Sequence, residues 1–176
     1  MRKWPIILLV AVVFFAACDK PAKGRNGVEY KSARMYNNYI IDRQKEIGTY
    51  ILLFYGHIDT NIDSAENAIK NSLPDVTAKL EEIKGMPAYK GDSSFRDAAI
   101  HSFTFYKRLF DKEMKEMVRI YRNNEIMTEE DQQTIQTIYN GIVREEEQLD
   151  KDLHNKQKAF ADKNHMGLVD EKGAKK

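Results

Sequence analysis

The sequence predicts an all-α protein, an antiparallel up-down four-helix bundle with long helices. Three observations predict it. Apolar residues recur at steps of three and four through four long segments, the repeat of one helix face. The connections between those segments are short and carry the turn-forming residues. Only 4 prolines and 9 glycines occur in 176 residues, most of them outside the periodic segments, so few breakers interrupt the helices. A three-helix coiled coil with one swapped helix is the alternative arrangement for the same periodicity.

The chain begins differently. Arg2 and Lys3 precede an apolar run from Trp4 to Phe15, followed by Ala16, Ala17 and Cys18. A permanent membrane span needs roughly 20 apolar residues. Trp4–Ala17 supplies only fourteen, with Pro5 near the start. A buried strand or helix does not explain why the run abuts a charged terminus. The physical reading is an export signal over residues 1–17 that is removed after use. Phe15-Ala16-Ala17-Cys18 resembles the lipobox of bacterial lipoproteins, whose commonest form has Leu where Phe15 stands. That resemblance implies that the Cys18 thiol receives a diacylglyceryl group and that Cys18 becomes the first residue of the mature chain. An ordinary cleaved signal peptide is the other reading.

Removing residues 1–17 leaves 159 of the 176 residues, the size of one ordinary domain. Arg2 and Lys3 go with them, so Lys+Arg falls from 28 to 26 against 27 Asp+Glu, a net charge of −1. A body so balanced has no general attraction for nucleic acid, and no nucleic-acid partner is expected. Cys18 is the only cysteine. The body therefore has no disulfide, no thiolate metal site and no cysteine nucleophile, and its core alone must hold it.

Asp19–Gly27 is polar, with one proline and two glycines. Residues 18–27 are thus expected to be a lipid anchor and flexible tether, with an r.m.s. reach of roughly 17 Å. Residues 28–163 are expected to be the helical domain. The first helix runs over 28–58, with Tyr36, Ile40, Arg43, Ile47, Phe54 and Ile58 on one stripe. Its stretch Tyr50–Tyr55 is apolar nearly all round and is expected to be the most buried part of the protein. Gly56 interrupts it, and Asp59 or Thr60 is placed to cap the next helix.

The second stripe, from Ile62 through Ile69, Leu73, Val76 and Leu80 to Ile83, keeps its phase through Pro74. Constant phase predicts one kinked helix, because proline costs about 3 kcal/mol inside a helix without forcing it to stop. A break at Leu73 is the alternative. Gly85–Pro87 and Tyr89–Asp92 form the clearest loop. Met86 and Tyr89 make it a candidate contact surface; a plain connector is the other reading. Asp92 or Ser93 caps the third helix, whose stripe runs from Ala99 to Tyr121 before Asn123 and Asn124 end it. Thr128 and Asp131 have the spacing of a capping box. The fourth helix follows through Ile135, Ile142, Leu149, Leu153 and Phe160. Residues 164–176 are expected to be a frayed tail.

The sequence carries no catalytic constellation. No glutamate has a histidine three residues later, as a ferritin-like di-metal bundle needs. Cys-x-x-Cys-His, phosphate-cradling glycine loops, Gly-x-Ser-x-Gly and His-Glu-x-x-His are all absent. No catalytic residue, cofactor or metal ligand is assigned. His101 and His154 each follow an aspartate, Asp97 and Asp150, by four residues. His101, however, falls about 200° from the stripe and points outward, so both are read as solvent-facing. His57 with Asp59 and Asp63 reads as a polar helix junction.

One anomaly lies mid-bundle. Arg43 holds a stripe position halfway along the first helix. The fourth stripe has a gap between Ile142 and Leu149 that only Glu145 or Glu146 can fill. Arg43, Glu145 and Glu146 are the candidates for a buried polar layer or small ligand pocket. The plainer reading is that Arg43 snorkels outward or pairs with a glutamate to set helix register.

Tyr36-Asn37-Asn38-Tyr39-Ile40-Ile41 with Gln44, on a helix soon after the tether, is similar to the start of a family of helical bacterial surface lipoproteins of unknown function. That resemblance brings no catalytic residues. The expectation is a non-catalytic cell-envelope protein, lipid-anchored through Cys18, facing the periplasm or cell exterior and binding a protein partner or surface. The alternative is a helical sensor or carrier with a small ligand at the mid-bundle layer. A partner-binding protein should expose an apolar patch of several hundred Å², and a carrier should enclose a cavity near Arg43. Homo-oligomerisation stays open.

Overall fold

The computed structural model describes residues 22–123 and 127–168, and most of them are helical. The export signal, Cys18 and residues 169–176 lie outside the described residues. Helix α1 (Ala33–Tyr55) starts where Ser32 turns extended and its Oγ accepts the Met35 N–H at 3.1 Å. Helix α2 (Ile62–Lys84) is capped by Asn61 instead of Asp59 or Thr60; the Asn61 Oδ1 accepts the Ser64 N–H at 3.0 Å. It runs unbroken through Pro74, whose side is exposed, so no break falls at Leu73.

Helix α3 (Ser94–Arg108) is opened by Asp92, whose Oδ1 accepts the Ser94 N–H at 3.0 Å, while Ser93 makes no side-chain cap bond. It passes directly into a π-helical segment, Leu109–Glu113, and then into α4 (Met114–Asn123). Helix α5 (Glu129–Lys163) opens with the reciprocal box. Asp131 N–H donates to the Thr128 Oγ1 at 3.2 Å, and Thr128 N–H donates to the Asp131 Oδ2 at 3.1 Å.

The expected tether is folded over much of its length. Strands β1 (Ala22–Lys23) and β2 (Glu29–Tyr30) pair antiparallel, with Ala22 opposite Tyr30 and Gly27 at φ 80° in the turn. This hairpin lies on the end of α2. Arg25 N–H donates to the Gly85 carbonyl at 2.7 Å, and the Asn26 amide donates to the Glu82 carbonyl at 3.1 Å. Tyr30 is buried beneath it. Polar composition predicts a solvated link, but Asn26 and Tyr30 find partners that composition does not display. The tail also begins late: Met166 N–H donates to the Ala161 carbonyl at 2.9 Å, and its side chain packs on the core.

α1 packs on α2, α2 on α3 and α4, and α3 on α5. The hairpin, the start of α1, the end of α2, the start of α3 and the end of α5 gather at one end. There the Tyr36 hydroxyl donates to the Pro87 carbonyl at 2.9 Å, the Tyr36 and Phe160 rings stack at 5.4 Å, and Lys163 pairs with Asp92 at 2.8 Å. At the other end the Tyr121 hydroxyl donates to Asp59 at 2.8 Å, and Arg122 reaches Asp63 at 2.7 Å. These bonds tie α4 to the α1–α2 junction. Tyr36, Ile40, Ile47 and Phe54 of α1, Val76 and Ile83 of α2, and Phe103, Phe110 and Met114 of the third rod are fully buried between them. Each such side chain stabilises the fold by about 1.5–3 kcal/mol.

Tyr50–Tyr55 is not the most buried part. Phe54 is buried, but Leu52 is 73 % exposed and Leu53 48 %. Neighbouring helices cover only one side of α1, so a segment that is apolar all round must leave its far side in solvent.

Candidate functional site

The three residues of the expected polar layer do not meet. Arg43 turns to α2, where its Nε pairs with Glu82. Its Nη1 donates to the Tyr39 carbonyl at 3.2 Å, and its guanidinium lies 3.3 Å from the Tyr39 ring centroid. The Tyr39 hydroxyl in turn donates to Glu82 Oε2 at 3.0 Å, and the Asn26 amide reaches the Tyr30 hydroxyl at 2.6 Å. Burial, more than any charge nearby, holds the Tyr39 hydroxyl well above its ordinary pKa. Arg43 is thus a clasp between α1 and α2, and Tyr39 links it to the hairpin, where the Asn26 amide also reaches the Tyr39 hydroxyl at 3.5 Å. An open groove of about 440 Å³ beside it is lined by Arg34, Met35, Tyr39 and Asp42.

Glu145 and Glu146 face different neighbours. Glu145 accepts from Arg108 Nη2 at 2.7 Å, and Arg108 Nε also pairs with Glu113 at 2.9 Å. Arg108 and Glu113 are five residues apart, a spacing that does not face in an α-helix. The π-helical turn between them, with its i→i+5 bonding, brings them to one side. A cleft of about 660 Å³ opens here between the π segment and α5, lined by Arg108, Glu113, Gly141, Ile142, Arg144 and Glu145.

Glu146 and Asp150 sit one turn apart on the side of α5 nearest α1. Burial raises both carboxyls above their ordinary range, and the Asp150 charge raises Glu146 further. Neither is in an ion pair among the described residues. Gln44 of α1 donates to Asp150 at 3.4 Å, and burial together with Glu146 pushes Tyr55 up to about 12.

Met86 and Tyr89 are core residues, not a contact surface: they are 2 % and 9 % exposed. The Tyr89 ring lies 5.2 Å from Tyr36 and 5.4 Å from Phe160, and Arg96 donates to the Met86 carbonyl at 3.0 Å. The apolar side chains in a Gly/Pro loop mark a plug here, because the loop folds under the end of α5. His101 and His154 are both exposed. Asp97 pairs with Arg96 at 2.8 Å instead, and Ser93 donates to it at 2.6 Å. Among the described residues no group of three or more His, Cys, Asp or Glu side chains is placed to hold a metal ion.

Sequence reasoning missed Lys79. It is nearly buried on α2, 2.5 Å from Glu46 and 2.9 Å from Asp75, and Asp75 also accepts from the Tyr50 hydroxyl at 2.5 Å. Its position three after Val76 and four after Asp75 was the available sign. Arg108 and Glu113 left no such sign, since their pairing needs the π turn.

The surface feature that stands out is apolar. Leu52 and Leu53 project from α1, and Tyr139 of α5, 47 % exposed, is close enough to Tyr55 to contribute to its raised pKa. Leu52 and Tyr55, three apart, share one face of α1. Among the described residues no helix is long and apolar enough to cross a membrane. The chain is an all-α protein with a small two-stranded hairpin. No protein family, curated protein or solved structure matches it.

Proposed function

We propose that this chain is a lipid-anchored, non-catalytic protein of the bacterial cell envelope. Its helical body, an antiparallel up-down four-helix bundle, binds a protein partner at the membrane surface. The single observation that carries this reading is the N-terminal stretch: Arg2 and Lys3, an apolar run too short to span, and Ala16-Ala17-Cys18. The body faces the periplasm or the cell exterior in this reading. Exposed Leu52 and Leu53, adjacent on α1, support partner binding, because apolar side chains left in water are the groups a partner's surface would cover.

A second reading, a carrier of a small ligand, is favoured by the cleft of about 660 Å³ beside Arg108 and Glu145. It draws less support, because the cleft is open and its guanidinium is already shared by two carboxylates.

The anchor is tested by intact-mass measurement of the protein from its native cell, with detergent phase partitioning of wild type and Cys18→Ser. The expected result is a diacylglyceryl mass on a chain beginning at Cys18, and loss of the detergent-phase protein in the variant. Recovery of residues 2–17 in the mature protein overturns the reading. In-cell crosslinking from a photoreactive residue placed at exposed position 49, one turn before Leu52, tests the partner. A defined crosslinked protein that is lost in Leu52→Glu supports it, and identical crosslinks from both overturn it.

A further inference from the structure

We propose that the hairpin end of the helical body is a membrane-docking surface, seated on the anionic phospholipid headgroups of the bilayer that holds Cys18. The proposal rests on the lipid-anchor reading and gives it a geometry: the helices stand on the membrane by one end instead of floating from a long tether.

The first support is the length of the link. Residues 22–30 are hairpin, pinned to the end of α2 through Arg25 and Gly85 at 2.7 Å and through Asn26 and Glu82 at 3.1 Å. Four residue steps separate Cys18 from Ala22, and in any conformation they reach at most about 14 Å. The anchored sulfur therefore cannot be far from the end of the body where the hairpin lies. The opposite end is a further helix length away, about 35 Å for α1.

The second support is charge, and it is independent of the first. Lys23, Arg25, Lys31 and Arg34 are all exposed at this end, and among the described residues none of them is in an ion pair. Glu29 is the only carboxylate between positions 22 and 34. Over residues 156–163 the end of α5 adds exposed Lys156 and Lys158 against one exposed carboxylate, Asp162, with Lys163 paired to Asp92. The far end leans to the opposite sign: Arg122 is shared by Asp63 and Glu66, while exposed Asp59 at the α1–α2 junction and exposed Glu129 and Glu130 at the start of α5 add further carboxylates. A headgroup field that decays over about 8 Å acts on one end alone. It attracts the basic end when that end faces the bilayer and would repel the acidic end in the inverted orientation, so the field and the short link favour the same orientation.

The test uses the full mature, acylated protein in vesicles of phosphatidylglycerol and phosphatidylethanolamine. A fluorophore is placed at exposed Glu29 (Glu29→Cys) or at exposed Thr60 (Thr60→Cys), and energy transfer to an acceptor lipid is measured. Transfer several-fold stronger from position 29 is expected, falling towards that from position 60 in the variant Lys23→Glu/Arg25→Glu/Lys31→Glu/Arg34→Glu. All four substituted side chains are exposed, and far-UV circular dichroism checks that the helices persist. Equal transfer from the two positions with the acyl chain in place overturns the docked orientation. Unchanged transfer in the four-site variant overturns the role of these cations. A protein without an acyl group on Cys18, seen by mass, ends the anchor reading and this proposal together; the two failures are therefore distinguishable.

Discussion

Gly24 and Gly85 approach so closely that a Cβ on Gly24 would lie 2.9 Å from the Gly85 carbonyl oxygen, and a Cβ on Gly85 would lie 2.9 Å from the Asn26 backbone nitrogen. The same carbonyl accepts the Arg25 N–H, so the hairpin and the end of α2 meet backbone to backbone. Backbone cannot swing aside as a flexible side chain can. Gly85→Ala should therefore cost about 1–3 kcal/mol. It should also accelerate amide exchange over residues 22–30 while leaving α5 protected. Gly141, in the middle of α5, has nothing within 4 Å of its would-be Cβ. Gly141→Ala should stabilise by about 0.5–1 kcal/mol. Thermal unfolding that moves in the same direction for both would contradict the packing at the hairpin.

Pro74 lies inside α2 with its ring exposed. It withholds one backbone bond from the helix and crowds the carbonyl four residues earlier. Pro74→Ala should raise stability by about 1–3 kcal/mol. Chemical denaturation that shows no gain would mean the surrounding helix has already relaxed around the ring.

Arg108 is shared between Glu113 and Glu145, and all three side chains are partly exposed. Exposure caps each pair at about 0.2–1 kcal/mol. A double-mutant cycle on Arg108→Gln and Glu113→Gln should return a coupling in that range. A coupling of zero would show that the π turn does not hold the two together in solution.

Glu146 and Asp150 have carboxyl pKa values raised by burial, so their ionisation opposes folding. The contribution of such groups is fully present below the ordinary carboxylate range and is lost as pH rises through the raised values. Glu146→Gln should accordingly raise the melting temperature by about 1–3 °C at neutral pH, with the gain vanishing near about pH 3. Asp92 works in the opposite sense. The Lys163 ammonium and the Ser94 donors hold it far below the usual range, so its contribution is present at neutral pH and fades on acidification. Asp92→Asn should lower the melting temperature at neutral pH and change it little in acid.

Leu52 is mostly in water, so Leu52→Glu should change stability by less than about 0.5 kcal/mol. In the partner-binding reading the same substitution should abolish crosslinks from α1. A melting temperature that collapses instead would place Leu52 in the core.

Local features were legible before any tertiary contact was known. The Thr128–Asp131 box, the unbroken phase through Pro74 and the outward side of His101 each depend on residues within a turn or two of one another. The clasp of Arg43 was half legible: its stripe position marked it as unusual, but Glu82 lies 39 residues away and no spacing selects it over Glu145 or Glu146. The hairpin was illegible, since its strands are two residues long and its stability comes from the end of α2.

Periodicity and capping in the sequence alone determined that the chain is helical and where the last helix begins and ends, because those depend on backbone bonds and side chains within a few residues; the first helix runs over Ala33–Tyr55 and not 28–58, because Glu29 and Tyr30 pair in the hairpin. The tertiary structure alone decided which apolar residues are covered. Met86 and Tyr89 went under α5, while Leu52 and Leu53 stayed in water. An amino acid's hydrophobicity states what burial would gain, and only the placement of neighbouring helices states whether burial occurs.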